Sequence, residues 1–171
     1  MDLQLPYSEA LQTRLMNYAI RRFNREDKYL LQNSLNERCM CARLAMYLDE
    51  RIRELRLGPF YADVEYNRGY DGLDGNVKRI DGGCVSLDLI VHKRGHDSGG
   101  EGFCNIICVE MKKESNSEKW YEDEDRLRKL TNPDYGFGYR VGYMLVADDV
   151  CEERLRKLRI QSIFRNGQKQ P

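Results

Sequence analysis

VSLDLIVH, residues 85–92, and CNIICVEMK, residues 104–112, are short, apolar and rich in β-branched residues. Both predict buried strands. Side chains alternate faces along a strand, so Glu110 and Lys112 point the same way at the end of the second one. Asp88 interrupts the first, flanked by Leu87 and Leu89. Charges in such positions are costly unless they pair, bind a metal or take part in chemistry. An aspartate followed by Glu-x-Lys on neighbouring strands is what a metal-dependent phosphodiesterase site requires.

Working outward, residues 8 to about 25 predict a first helix, with Leu11, Leu15, Ala19 and Phe23 on one stripe. Ser34 reads as the N-cap of a longer helix to about Leu57, its core stripe formed by Cys41, Ala45, Leu48, Ile52 and Leu55. Gly58-Pro59 ends it. Residues 60–67 predict a strand and 68–83 a glycine-rich turn region, with a second such loop at 95–102. Residues 117–130 predict a charged helix resting on Trp120, Leu127 and Leu130, broken by Asn132-Pro133-Asp134. A strand at 139–147 follows, then a helix capped by Asp148 or Asp149 to about Leu158, a short strand at 160–164 and a frayed end. This order predicts an α/β fold with a mixed sheet flanked by helices.

The 171 residues suit one domain, and 41% apolar with 33% charged residues suits a soluble protein. No window reaches the length of a membrane span, and the opening residues 1–6 lack a basic start and apolar core, so a cytoplasmic location is expected. Six cysteines without a CxxC pair, and two histidines outside zinc-finger spacing, argue against structural zinc and suit reduced thiols. The 28 basic and 28 acidic residues cancel, which counts against non-specific nucleic-acid binding but allows a local basic groove.

Each candidate residue has a bland counterpart. Glu110 and Lys112 can be a surface ion pair at a strand end. Alternatively, Glu110, Asp88 and the Met111 carbonyl offer oxygen ligands to Mg²⁺, while Lys112 orients water or stabilises developing charge. Asp88 can be an edge aspartate bonded to backbone, although aspartate is a poor strand residue and asks for a reason. Glu37 precedes Cys41 by one helical turn and so extends the core stripe, yet Ser34-Leu35-Asn36-Glu37 is also a capping-box sequence. His92 shares strand parity with Asp88, but a satisfied buried histidine is the simpler account. Lys93, Arg94 and Lys113 follow the strand ends and serve equally as phosphate contacts or as a solvated rim. Residues 71–76 faintly resemble a calcium loop and read as a turn. The run from Glu118 to Arg128 reads as an exposed helix face. Tyr66, Tyr70, Tyr135 and Phe137 can stack bases, with a core or loop role preferred.

Glu37 on an early helix, Asp88, and Glu110-Met111-Lys112 together resemble the PD-(D/E)XK nuclease superfamily, and the surrounding text resembles a group of small uncharacterised bacterial proteins within it. The matching stretches are Asn36-Glu37-Arg38 with Arg43-Leu44-Ala45, then Val64 to Arg68, Asp88 to Gly95, Asn105 to Lys113, Asp125 with Lys129-Leu130, and the strand from Tyr139 to Leu145. Leu87 stands where a proline is usual, a position that shapes the strand and holds no ligand. The resemblance implies a restriction-endonuclease-like mixed sheet and Mg²⁺- or Mn²⁺-dependent cleavage of nucleic acid. Asp88, Glu110 and Glu37 would hold the metal and Lys112 would assist water attack, with His92, Lys93, Arg94 and Lys113 as weaker nucleic-acid contacts. The expected partner is nucleic acid, DNA foremost; a homodimer and a protein that supplies target recognition are further candidates. Two rivals stand beside this reading: a catalytically silent binding or assembly module of the same fold, and a hydrolase of small phosphorylated molecules.

Overall fold

The computed structural model describes residues 8–33, 35–67, 77–94, 105–152 and 155–171. Helix α1 (Glu9–Glu26) opens on Ser8, whose hydroxyl accepts from Leu11 N at 3.3 Å. Leu11, Leu15, Ala19 and Phe23 form its buried stripe, as their spacing predicts. A short helix α2 (Lys28–Gln32) precedes α3 (Glu37–Glu54). The cap of α3 is Asn36, whose side chain accepts from Cys39 N at 2.8 Å, and not Ser34, which lies outside the described residues. Glu37 is therefore the first helical residue, two positions too early to close a capping box. Past the helix, Gly58 takes a φ of 80°, the left-handed turn that a helix end favours.

Strands β1 (Phe60–Tyr66), β4 (Leu87–Lys93), β5 (Asn105–Lys113), β6 (Val141–Ala147), β7 (Leu158–Arg165) and β8 (Gln168–Lys169) form one sheet in the order β1-β4-β5-β6-β7-β8. Between β1 and β4, β2 (Arg79–Ile80) and β3 (Gly83–Cys84) make a separate small ladder. Within the large sheet only β5 and β6 run parallel, joined by a 3₁₀ segment (Glu114–Lys119) and helix α4 (Trp120–Thr131). The result is a mixed α/β fold, a multi-stranded sheet flanked by helices.

Strand periodicity sorts side chains between two cores. Leu89, Val91, Ile107, Val109, Met111, Tyr143 and Leu145 pack with α1 and α3. Ile90, Cys108, Met144, Val146 and Phe164 pack with Leu127 and Leu130 of α4 on the other face. Gly142 permits that close approach, because a Cβ there would meet Leu127 at 3.1 Å and Cys108 Sγ at 3.3 Å. Among the described residues no helix is long and apolar enough to cross a membrane.

The C-terminal region departs from expectation twice. Asp148 Oδ1 accepts from Val150 N at 3.2 Å and Cys151 N at 3.0 Å, as an N-cap would, but no α-helix follows among the described residues, only a 3₁₀ position at Leu155. The chain instead enters β7, where Leu158 meets the α1 core and Phe164 the α4 core, so sheet packing wins over the local cap. Nor is the end frayed: Asn166 and Gly167, with φ of 50° and 73°, turn the chain so that β8 pairs with β7.

One buried cation has no hydrogen bond to a carboxylate among the described residues. Lys78 is 4% exposed, its Nζ bonded to the Tyr139 hydroxyl and 4.8 Å from the centre of the Tyr66 ring. Desolvation lowers its pKa to about 8, against the 10.5 of a free lysine. Between those values the unfolded chain binds more protons than the folded one, so this group adds stability as pH rises. Denaturant titrations should therefore show wild type gaining on Lys78→Met by on the order of 2 kcal/mol from pH 8 to pH 10.5. Parallel pH profiles for the two proteins would contradict this.

Candidate active site

The antiparallel register that pairs Leu89 with Val109 sets Asp88 opposite Glu110. Both face α4, as does Lys112, because the alternation that turns Val109 and Met111 toward α3 turns their neighbours the other way. The connection from β5 to the parallel β6 runs back through α4, so the first turns of α4 lie over the carboxyl end of β5. Crevices at the carboxyl ends of parallel strands are common ligand sites in open α/β sheets.

Four carboxylates meet there. Asp88, half-buried, accepts at Oδ2 from Met111 N at 2.8 Å. Glu37 reaches from the start of α3, its Oε1 accepting from Lys113 N at 3.0 Å and its Oε2 lying 3.9 Å from Lys112 Nζ. Glu110 is 1% exposed and receives Arg126 NH1 at 2.7 Å. Asp123 of α4 is 3% exposed, with Arg126 NH1 3.1 Å from one oxygen and Lys112 Nζ 3.5 Å from the other. All four residues expected from the sequence, Glu37, Asp88, Glu110 and Lys112, thus belong to one site, and Asp123 and Arg126 join them.

The electrostatics follow from this crowding. Desolvation pushes the Glu110 carboxyl well above the usual range, and Asp88 adds to the rise against the pull of Arg126. Desolvation likewise raises Asp123, opposed by Lys112 and Arg126. For Lys112 desolvation works against the charge, but Asp123, Asp88, Glu37 and Glu110 outweigh it and hold the ammonium above the ordinary lysine value.

Among the described residues, no three His, Cys, Asp or Glu side chains are gathered into a metal-holding group. The donor set nevertheless fits a hard divalent cation: carboxylate oxygens are the ligands Mg²⁺ and Mn²⁺ prefer. Two local costs have the sign that a cation relieves. Asp88 and Glu110 oppose like charges across the ladder, and Asp123 Oδ2 is buried with only the Lys112 ammonium, 3.5 Å away, to offset its charge.

The weaker candidates lie elsewhere. His92 Nε2 is 2.8 Å from Asp63 Oδ2 on β1, and its ring meets Tyr66 edge-on at 4.5 Å, a satisfied buried histidine. Arg94 pairs with the same Asp63 and covers the Tyr61 ring at 4.6 Å, while Lys93 Nζ lies 5.2 Å from the Phe60 ring centre. Antiparallel pairing puts Lys93 and Arg94 at the far end of β4 from Asp88, so they form no cluster with Lys113. Residues 71–76 and Tyr70 fall outside the described residues. The reading of Glu118 to Arg128 as a solvated face is corrected at Asp123 and Arg126, which turn inward. The signal was available: Trp120, Asp123, Leu127 and Leu130 share one helical stripe, and Arg126 follows Asp123 by three residues.

No protein-family model, curated protein or solved structure matches this chain.

Arg126 is the cation that makes a buried Glu110 tolerable. Arg126→Leu should cost about 3 kcal/mol in urea unfolding, because it strands that carboxylate. Adding Glu110→Gln should recover at least half of the loss. Additive costs in this double-mutant cycle would show that the pair is not coupled.

Proposed function

We propose that this chain is a metal-dependent nuclease with a restriction-endonuclease-like sheet, in which Asp88, Glu110 and Glu37 hold Mg²⁺ or Mn²⁺. The reading is carried by the gathering of these three acids, from α3 and two adjacent strands, at the carboxyl end of β5, where Asp88 lies opposite Glu110 and Glu37 lies 3.9 Å from Lys112. A divalent ion held by these acids would polarise a phosphodiester and lower the pKa of a bound water. Glu37 and Asp88 are oriented by main-chain N–H groups at 3.0 and 2.8 Å, so their carboxylates need little reordering to act as ligands. Lys112, flanked by Glu37 and Asp123, would donate to the attacking water or to the phosphoryl oxygens as negative charge develops. Arg126 offers a second guanidinium contact of the kind that suits phosphate.

Two observations favour a second reading, a catalytically silent binding module. Arg126 already occupies Glu110, and no ready-made metal group exists among the described residues. Cleavage of single- and double-stranded DNA and RNA, with Mg²⁺, Mn²⁺ or chelator, separates the two. The nuclease reading predicts divalent-dependent cleavage, DNA foremost, falling at least a hundredfold in Asp88→Ala and in Lys112→Ala proteins that melt like wild type. Equal residual activity in wild type and variants favours the silent module.

A further inference from the structure

A second charged feature lies in the layer of α1 and α3, across the sheet from α4. A cavity of about 340 Å³ between these helices is lined by Arg14, Tyr18, Arg21, Arg22, Arg25 and Arg51, together with Leu15, Asn17 and Leu55. Five of those side chains are guanidinium groups and none is a carboxylate. Such a concentration is unexpected in a chain whose net charge is zero.

The arginines are unequal. Arg22 is held by Glu26, by Glu50 and by the Tyr18 hydroxyl at 3.1 Å. Arg51 pairs with Glu54 and lies over the Tyr18 ring at 5.1 Å, and Arg25 pairs with Glu26. Arg14 and Arg21 are exposed and have no acidic partner among the described residues. Their spacing of seven residues, with Arg25 four further on, puts all three on one stripe of α1. The stripe spans roughly 16 Å of helix axis. That is longer than a single free phosphate fills and matches several phosphates of a strand, which follow each other about every 3.4 Å along a duplex axis. Guanidinium groups suit phosphate oxygens through paired hydrogen bonds. Tyr18 supplies a fixed platform that holds Arg22 and Arg51 in place.

The pocket is separate from the acidic site. Glu37 opens α3 and Arg51 lies near its other end, so roughly 21 Å of helix separates them. We infer that this pocket is a phosphate-binding site that engages the backbone of a nucleic-acid strand, with Arg14 and Arg21 making the uncommitted contacts. It can hold whether or not the acidic site cleaves, because binding needs neither metal nor an intact Asp88.

The test is fluorescence anisotropy of labelled single- and double-stranded DNA in metal-free buffer across a salt series, with nucleoside triphosphate and inorganic pyrophosphate as competitors. Arg14→Gln/Arg21→Gln should weaken binding at least fivefold and lower the duplex salt slope by about 1.8, the share of two phosphates. The control is Arg53→Gln/Lys157→Gln, which removes the same charge from exposed positions outside the pocket. It should change affinity less than twofold, and matching melting curves should show that each variant folds. Equal losses in both double variants, or none in the first, would overturn the proposal. If triphosphate or pyrophosphate binding falls in Arg14→Gln/Arg21→Gln while DNA binding does not, the strand assignment is overturned and the pocket takes free polyphosphates.

Discussion

A buried glutamate organises this structure. Glu110 sits at the centre of the sheet with Asp88 opposite it and Arg126 above it. Placing a carboxylate where Met111 and Val109 are fully buried on the other face demands a compensating cation, and α4 has to lie close enough to deliver one. The crossover between β5 and β6 meets that demand, since its helix returns over the carboxyl end of β5 with Asp123 and Arg126 pointing down. Gly142 then lets the later turns of the same helix settle on the sheet through Leu127 and Leu130. The apolar contacts hold α4 in position, and the ionic contacts occupy the end where apolar packing stops.

Such an arrangement is poor value as a stabilising device. Like charges face each other across the ladder, one carboxylate oxygen of Asp123 is buried against a single ammonium 3.5 Å away, and Arg126 is shared between two acids. A packed apolar cluster at this spot would be as stable or more so. Local conflict of this kind is expected where a protein keeps a site for chemistry, and on the proposed nuclease reading one of these pairings would be given up to a divalent ion and a phosphate. The main-chain bonds from Met111 and Lys113 to Asp88 and Glu37 keep those two carboxylates aimed while the pairing changes.

The strand pair at the centre was legible because period-2 alternation is a strong signal: Asp88, Glu110 and Lys112 stand out against buried aliphatic neighbours. Glu37 was legible through helical spacing, although the capping sequence offered an equal account until Asn36 proved to be the cap. Asp123 and Arg126 were hidden by composition, because a helix dense in charge presents many acids and bases and only the apolar stripe tells which of them turn inward. The region after Ala147 differs from its sequence signal for a related reason. Asp148 bonds like a helix cap, yet the local signal is overridden by sheet pairing, while Asn166-Gly167 is a hairpin-turn dipeptide that carries the signal for β8. The arginine stripe on α1 was similarly diluted by the neutral net charge, and only helix packing reveals it as a lined cavity.

Whether the acids at the carboxyl end of β5 take up a divalent cation decides between a nuclease and a silent module. The most direct measurement is anomalous scattering from a crystal of the protein soaked in Mn²⁺. The predicted result is a peak within ligand distance, about 2.1–2.2 Å, of oxygens from Asp88 and Glu110, with Arg126 moved off Glu110. An occupied Arg126–Glu110 pair with no peak at saturating Mn²⁺ would contradict it.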